Sequence, residues 1–447
     1  MDTFLIDSQT IDDLHLFEGT KNDHSVYAYF DYTTTIGGRA FLKELFTNPI
    51  IDTHELAYRN NDIQFLFNEV DSLSFQRDAI DFIEYFLHSI DKPKKYSFYG
   101  AFKKSVKYRY AKKQEQYNKQ RGLNEILNTL AFLKEFCKEI KHERDLNVIK
   151  ELRTTLEKVS SDPFIKKCMT MRPKKLRGLL LEKCDFFIRN IYLQDIRKIL
   201  ASVYQLDAYY AIALAARKHK FSFPIYHHNN ESKLVLEGVF HPFLNTPIAN
   251  DFQFDKHRHL CFLTGVNMSG KSTLMKSIAV AIYLAHIGFP VPATRMETGP
   301  FNGLLTTINL PDNLTLGRSH FYNEVLRVKL VAQQIAKRKN LFIIFDELFR
   351  GTNVKDAYES SLLIVEAFSK VPTSFFIISS HLIEVAHDLK DNKSIDFRHF
   401  QTKMENNTPT FNYKLIEGIT DNRIGAWILK NEGILEILNN ASTKPLA

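Results

Sequence analysis

The run Leu260-Cys-Phe-Leu-Thr264 leads straight into Gly265-Val-Asn-Met-Ser-Gly-Lys-Ser-Thr273, and from there into the apolar stretch Leu274 to Ile287. Five uninterrupted apolar or β-prone residues read as a strand buried on both faces, and the stretch after Thr273 has helical length and spacing. Between them lies G-x-x-x-x-G-K-[ST], in the strand-loop-helix setting that gives this pattern meaning. Glycines at 265 and 270 let backbone N–H groups approach a phosphate chain, and the helix N-terminus favours its charge. Lys271 is placed to bridge the outer phosphates, and the Ser272 hydroxyl to coordinate Mg²⁺. Asn267, Met268, Ser269 and Thr273 complete the expected cradle.

Two more apolar strands follow, Leu341 to Phe345 and Ser374 to Ile378, each separated by helical sequence. Strands alternating with helices predict a mostly parallel sheet, whose ligands bind beyond the strands' C-terminal ends. Asp346 and Glu347 stand at such an end. Asp346 is expected to hold the Mg²⁺ shell, and Glu347 to polarise an attacking water. Ser379-Ser-His381 ends the third strand, so the His381 imidazole is expected at the same edge, near the γ-phosphate.

Residues 1 to about 230 have a different texture. Apolar residues recur at three and four, with few Gly or Pro. Leu123, Ile126, Leu127, Leu130, Ala131 and Phe136 are expected to line one helix face, and similar stripes run from Ile63 to Phe86 and from Ile196 to Ala215. The sequence therefore predicts an all-α domain over 1–230, followed by an α/β domain with a mostly parallel sheet over 231–447.

The 447 residues include 44% apolar residues and carry a formal charge of +8. The four cysteines stand far apart with no C-x-x-C, which argues against a zinc site or a disulfide framework. The longest apolar run noted, Ile278 to Val291, is broken by His286 and Pro290, and the first residues lack the layout of a signal peptide. A cytoplasmic protein is expected. Between Lys92 and Arg121 lie eleven Lys or Arg against one Glu, interleaved with five Tyr. Cations for phosphates beside aromatic faces suit a polyanion. Lys103, Lys104, Lys107, Arg109, Lys112 and Lys113 are the candidate nucleic-acid contacts; a solvated loop is the alternative reading of the same run.

The loop Gly265 to Thr273 resembles that of the MutS family, which reads G-P-N-M-G-G-K-S-T; Val266 and Ser269 depart from it. Gly317-Arg-Ser-His-Phe-Tyr-Asn-Glu324 is similar to the family's G-R-S-T-F-x-x-E signature. Asp346-Glu-Leu-Phe-Arg-Gly-Thr352 with Asp356 is similar to D-E-x-x-R-G-T and its following loop, except that Phe349 replaces a usual Gly. Thr34 to Pro49 resembles the start of the family's core domain, and Glu237 to Pro242 with Pro247-Ile-Ala-Asn250 the entry to its ATPase domain. The resemblance implies an ABC-type P-loop ATPase domain that binds ATP with Mg²⁺, with Ile248 beside the nucleotide and a homodimer as the working unit. It also implies a composite site, in which Ser319 of one subunit approaches the nucleotide held by Lys271 of the other.

The core-like sequence starts within the first twenty residues, so the family's mismatch-recognition and connector domains are expected to be absent. The two Phe-x-Glu triplets, Phe67-Asn-Glu69 and Phe82-Ile-Glu84, are read as core helix residues. What is expected is an ATPase acting on duplex DNA without mismatch selectivity, in a repair process. Two alternatives stand beside it: an ATPase like the family's second lineage, on branched DNA or ribosomes, and a nucleotide-gated assembly protein that touches no nucleic acid.

Overall fold

A computed structural model describes residues 3–17, 25–88, 113–140, 147–171, 176–227, 233–254, 257–309, 320–405, 408–420, 431–434 and 437. The helices that open the chain are α1 (Ser8–Asp13), α2 (Ile36–Thr47), α3 (Thr53–Glu69), α4 (Arg77–His88), α5 (Lys113–Glu139), α6 (Asn147–Ser160), α7 (Pro163–Met169), α8 (Leu179–Phe186) and α9 (Leu193–His219). Then come β1 (Ile225–Tyr226), β2 (Leu234–Val239), β3 (Asn250–Phe254), β4 (Leu260–Thr264), α10 (Lys271–Ala285), β5 (Arg295–Thr298) and β6 (Gly303–Thr307). The series closes with α11 (His320–Lys337), β7 (Leu341–Phe345), α12 (Val354–Ser369), β8 (Phe375–Ser379), α13 (Ile383–Asp388), β9 (Ile395–Glu405) and β10 (Thr408–Glu417). The chain divides into two compact units. One holds Tyr29–Asn48 and Tyr58–Lys218; the other holds Met1–Ala28, Pro49–Ala57 and His219–Ala447.

The first unit is helical. In α5 the residues Leu123, Ile126, Leu127, Leu130 and Phe136 are buried as their spacing predicts, while Ala131 is only half-buried and Leu133 and Cys137 join the stripe. Local caps set the helix starts. Pro163 opens α7, where a missing N–H costs nothing, and the Asp162 carboxylate accepts from the amides of Phe164 at 2.8 Å and Ile165 at 3.1 Å. The start of α2 is fixed from a distance. Thr35 caps it by accepting from Gly38 N at 2.9 Å, and the buried Asp207 of α9 accepts from Thr34 N, Thr34 Oγ1, Thr35 N and Thr35 Oγ1 at 2.7–3.1 Å. A Cβ on Gly37 would lie 2.4 Å from the Tyr204 ring and one on Gly38 2.2 Å from the Asp207 carboxylate, so the Gly-Gly pair is what lets α2 meet α9 this closely.

Phe67 and Phe82 lie on α3 and α4 but are half-buried rather than core: Phe82 lies under the Arg121 guanidinium at 4.3 Å and Phe67 under that of Arg217 at 5.5 Å. The window of α9 is long and apolar enough to cross a membrane, and 72% of it is buried inside the structure.

The second unit carries a six-stranded sheet of order β10-β9-β4-β8-β7-β6. Every neighbouring pair is parallel except β9 and β10. Its central strands β4, β7 and β8 are buried along their whole length, as strands covered on both faces must be. A second, mixed sheet of order β1-β5-β2-β3 stands in the same unit, a feature the sequence did not announce. Phe254, Phe301, Phe342 and Phe375 meet there at ring separations of 5.0–6.4 Å. The cysteines at 137, 168, 184 and 261 are free and buried.

Candidate nucleotide site

β4 delivers its last residue, Thr264, to a loop that only glycine can close. Gly265 has φ +148° and Gly270, the residue before α10, has φ +105°. A Cβ on Gly270 would also lie 3.4 Å from the Tyr413 ring. α10 starts at Lys271, so its free amides face the loop. Lys271 is 5% exposed, and its ammonium donates to the carbonyls of Gly265 at 2.9 Å and Val266 at 3.3 Å. Burial pushes its pKa down, while Glu347 and Asp346 pull it back up.

The parallel order brings the ends of β4, β7 and β8 side by side. Ser272 Oγ donates to Asp346 Oδ2 at 2.5 Å, and Ser379 Oγ, from the end of β8, donates to Asp346 Oδ1 at 2.5 Å. Glu347 sits at φ +59°, with its amide donating to Ser379 Oγ at 3.0 Å. Its carboxylate meets His381 Nε2 at 2.7 Å and the Arg350 guanidinium at 3.6 Å. The His381 hydrogen bond lowers the pKa of Glu347 against the opposing effect of burial, and the charges of His381, Lys271 and Arg350 add to the lowering. Glu347 is therefore a carboxylate near neutral pH, held by the imidazole that the third strand delivers.

A cavity of about 430 Å³ opens over the loop. The run Asn267 to Thr273 lines it, as do Ile248 and Glu347. The Ser269 hydroxyl is buried there and, among the described residues, has no hydrogen-bond partner. An orphaned hydroxyl beside glycine-freed amides fits an anionic ligand such as a phosphate chain. Ser272 and Asp346 offer hard oxygen atoms, the donors Mg²⁺ takes.

Several lining residues were given no role by the sequence reading, His241, Phe400 and Tyr413 among them. His241 was visible in its motif without a role; Phe400 of β9 and Tyr413 of β10 carry no local pattern. Burial lowers the His241 pKa to about 4, helped by Lys276 and His15, so this ring is neutral near pH 7. Ser379, whose hydroxyl serves both Asp346 and Glu347, was read only as part of a strand end.

Ser319 lies outside the described residues, as do Lys103, Lys104, Lys107, Arg109 and Lys112; Lys113 opens α5 with its side chain undescribed. Two other cations of the basic run have internal partners. Lys119 pairs with Glu182 at 2.9 Å and Asp185 at 3.3 Å, and Arg121 covers Phe82.

Residues 261–445 match the family model described as MutS domain V. Over 291 residues the chain is 27% identical to the DNA mismatch repair protein MutS of Streptococcus thermophilus, covering 60% of this chain and 34% of that protein. Over 401 residues it is 24% identical to the protein of the same name from Pseudothermotoga lettingae, covering 88% of this chain and 44% of the other. The DNA mismatch repair protein MSH3 of Candida glabrata is 25% identical over 317 residues, covering 66% and 31%. The matches thus span between about a third and under half of these relatives' length. The loop, the paired carboxylates and the histidine share one sheet edge, and residues 261–445 are similar to MutS domain V as the longer matches are to DNA mismatch repair proteins MutS and MSH3.

Proposed function

We propose that this chain hydrolyses ATP with Mg²⁺ and acts on duplex DNA in a repair process, as a homodimer in the cytoplasm whose ATP state governs its helical unit. One observation carries the catalytic part: two carboxylates from the end of β7, one tied to the loop serine and the other to a histidine, stand beside a cavity over a glycine-rich loop. Phosphoryl transfer asks the protein for positioning and charge stabilisation rather than covalent chemistry. Lys271 and the amides at the start of α10 would hold the phosphates. Ser272 and Asp346 would hold Mg²⁺, which when bound neutralises charge on the phosphate oxygens. Glu347 is ionised and so able to orient a water and accept its proton; His381 fixes that carboxylate through the 2.7 Å bond and would respond to the γ-phosphate.

The DNA part rests on the names of the relatives, all DNA mismatch repair proteins, and on the basic run between Lys92 and Arg121. No preference for mismatched over matched duplex is proposed.

Replacing Glu347 tests the catalytic reading. Glu347→Gln keeps size and a hydrogen-bond acceptor while removing the base, so nucleotide binding should persist and hydrolysis should fall by about a hundredfold. Turnover within a fewfold of wild type, measured by phosphate release, removes Glu347 from the mechanism.

A further inference from the structure

Residues 3–16 are remote in sequence from the nucleotide site and are bonded to its frame. Leu5 extends the sheet past β6: its amide donates to Asn302 O at 2.9 Å and its carbonyl accepts from Leu304 N at 2.8 Å. Thr10 Oγ1 accepts from Thr306 N at 2.9 Å. Asp7 meets the Arg327 guanidinium, which also donates to Thr307 Oγ1 at 2.9 Å and Thr306 O at 2.6 Å.

Asp13 makes the densest set of contacts. Its carboxylate is 1% exposed; Oδ2 accepts from Thr306 Oγ1 at 2.7 Å and Ile308 N at 2.9 Å, and Oδ1 from Asn309 N and Gln9 Nε2 at 2.9 Å each. All four of its acceptor sites are thus engaged, three of them by residues at and just beyond the end of β6. Between those residues lies Thr307, whose carbonyl accepts from the backbone amide of Asp346 at 2.9 Å. Pairing a sheet edge needs only backbone, as Leu5 shows. A buried carboxylate that holds Thr306, Ile308 and Asn309 to one geometry does more, because the Thr307 carbonyl between them accepts from the residue that opens the Asp346-Glu347 pair.

We propose that Asp13 is a positioning residue of the nucleotide site: by fixing residues 306–309 it holds the Thr307 carbonyl against the Asp346 amide, and so sets where the two carboxylates stand. The consequence for rate rests on the ATPase reading above; the mechanical coupling does not. Small displacements of reacting groups are costly in rate even when ligand binding is kept.

Hydrogen exchange on the nucleotide-free full chain tests the coupling, and steady-state kinetics tests its consequence. In Asp13→Asn an NH₂ replaces one acceptor oxygen and confronts a donor. Amides in 303–309 and in 345–348 should both exchange about tenfold faster or more. ATP turnover should fall about tenfold with KM changed less than about twofold, a split that loss of folded protein would not produce. Thr306→Val, which removes one partner without touching the N-terminal segment, should act in the same direction, and the double variant should be no worse than Asp13→Asn alone. If Asp13→Asn does not fold, Thr306→Val carries the same comparison. Faster exchange in 303–309 with 345–348 unchanged overturns the proposal, as does turnover within about twofold of wild type in a folded variant. A wild-type protein without ATPase activity would refute the catalytic reading, and the exchange comparison would still decide the positioning.

Discussion

Asp62, on α3, is a carboxylic acid buried against the start of α6. Burial raises its pKa to about 6 against the opposing amides of Val148 and Asn147, which donate to it. A carboxyl raised above its unfolded value stabilises the fold fully below that value, near pH 4, and loses its contribution as the pH climbs through 6. The shift of roughly two units corresponds to at most about 3 kcal/mol. Asp62→Asn cannot ionise, so its stability relative to wild type should improve between pH 4 and pH 8 by up to that amount. Denaturant midpoints at pH 4, 6 and 8 check this, and a difference that stays flat with pH would remove Asp62 as the cause. Single residues also mark how far the sequence could be read. The Gly-Lys-Ser run and the Asp-Glu pair were legible because each sits a fixed step beyond a strand, and short-range geometry carries them to the edge. Phe349 was legible only as an oddity. It takes φ +58°, where glycine is at ease, and is buried against Phe321 with ring centroids 5.6 Å apart. A left-handed residue costs about 1–2 kcal/mol, whereas burying a Phe is worth about 3 kcal/mol or more. The packing wins, and a sequence pattern cannot weigh the two.

At the scale of elements, the joint between α2 and α9 depends on one side chain. Asp207→Ala would strand the amides and hydroxyls of the half-buried Thr34 and the buried Thr35. Each unsatisfied buried donor costs about 1–3 kcal/mol, so the helical unit should lose about 3 kcal/mol or more. Hydrogen exchange should show the loss first in α2; an unchanged unfolding midpoint would mean that water replaces the carboxylate at no cost. Helix periodicity foretold the buried stripe of α5 because each apolar residue is placed by its own helix. It could not foretell the β1-β5-β2-β3 sheet, where β1 and β5 pair across about seventy residues, nor the arrival of Phe400 and Tyr413 at the cavity. Those placements are set by partners that no local spacing encodes.

For the whole molecule the decisive question is whether a nucleotide site belongs to one chain or two. On the proposed homodimer reading, Ser319 of a second subunit would approach the site held by Lys271. Isolated heterodimers of Lys271→Ala with Ser319→Ala subunits should then keep one intact site and measurable turnover, and wild type paired with the double variant should keep none. Loss of one donor to the transferring phosphoryl group costs on the order of a hundredfold, so phosphate release separates the patterns. Activity in the second mixture and not the first would sink the shared-site reading. The switch of hydrophobic period puts a boundary near 230, and the compact units change over at residue 218. That residues 1–28 and 49–57 group with the sheet unit was not legible, since nothing in a six-residue amphipathic turn names a partner three hundred residues away.

That distance has a consequence in time. Asp13 and its partners Thr306 and Asn309 are 293 and 296 residues apart. At a synthesis rate of about 5–20 residues per second, the carboxylate waits roughly 15–60 s for the strand it will lock. Every helix from α2 to α9 is made within that interval, and helical contacts form in far less than a second. Closing so long a loop adds only a slowly growing, logarithmic entropy cost. Asp13 therefore has no strand to close on until about two-thirds of the chain has been made, and a pause between residues 219 and 302 would prolong that period.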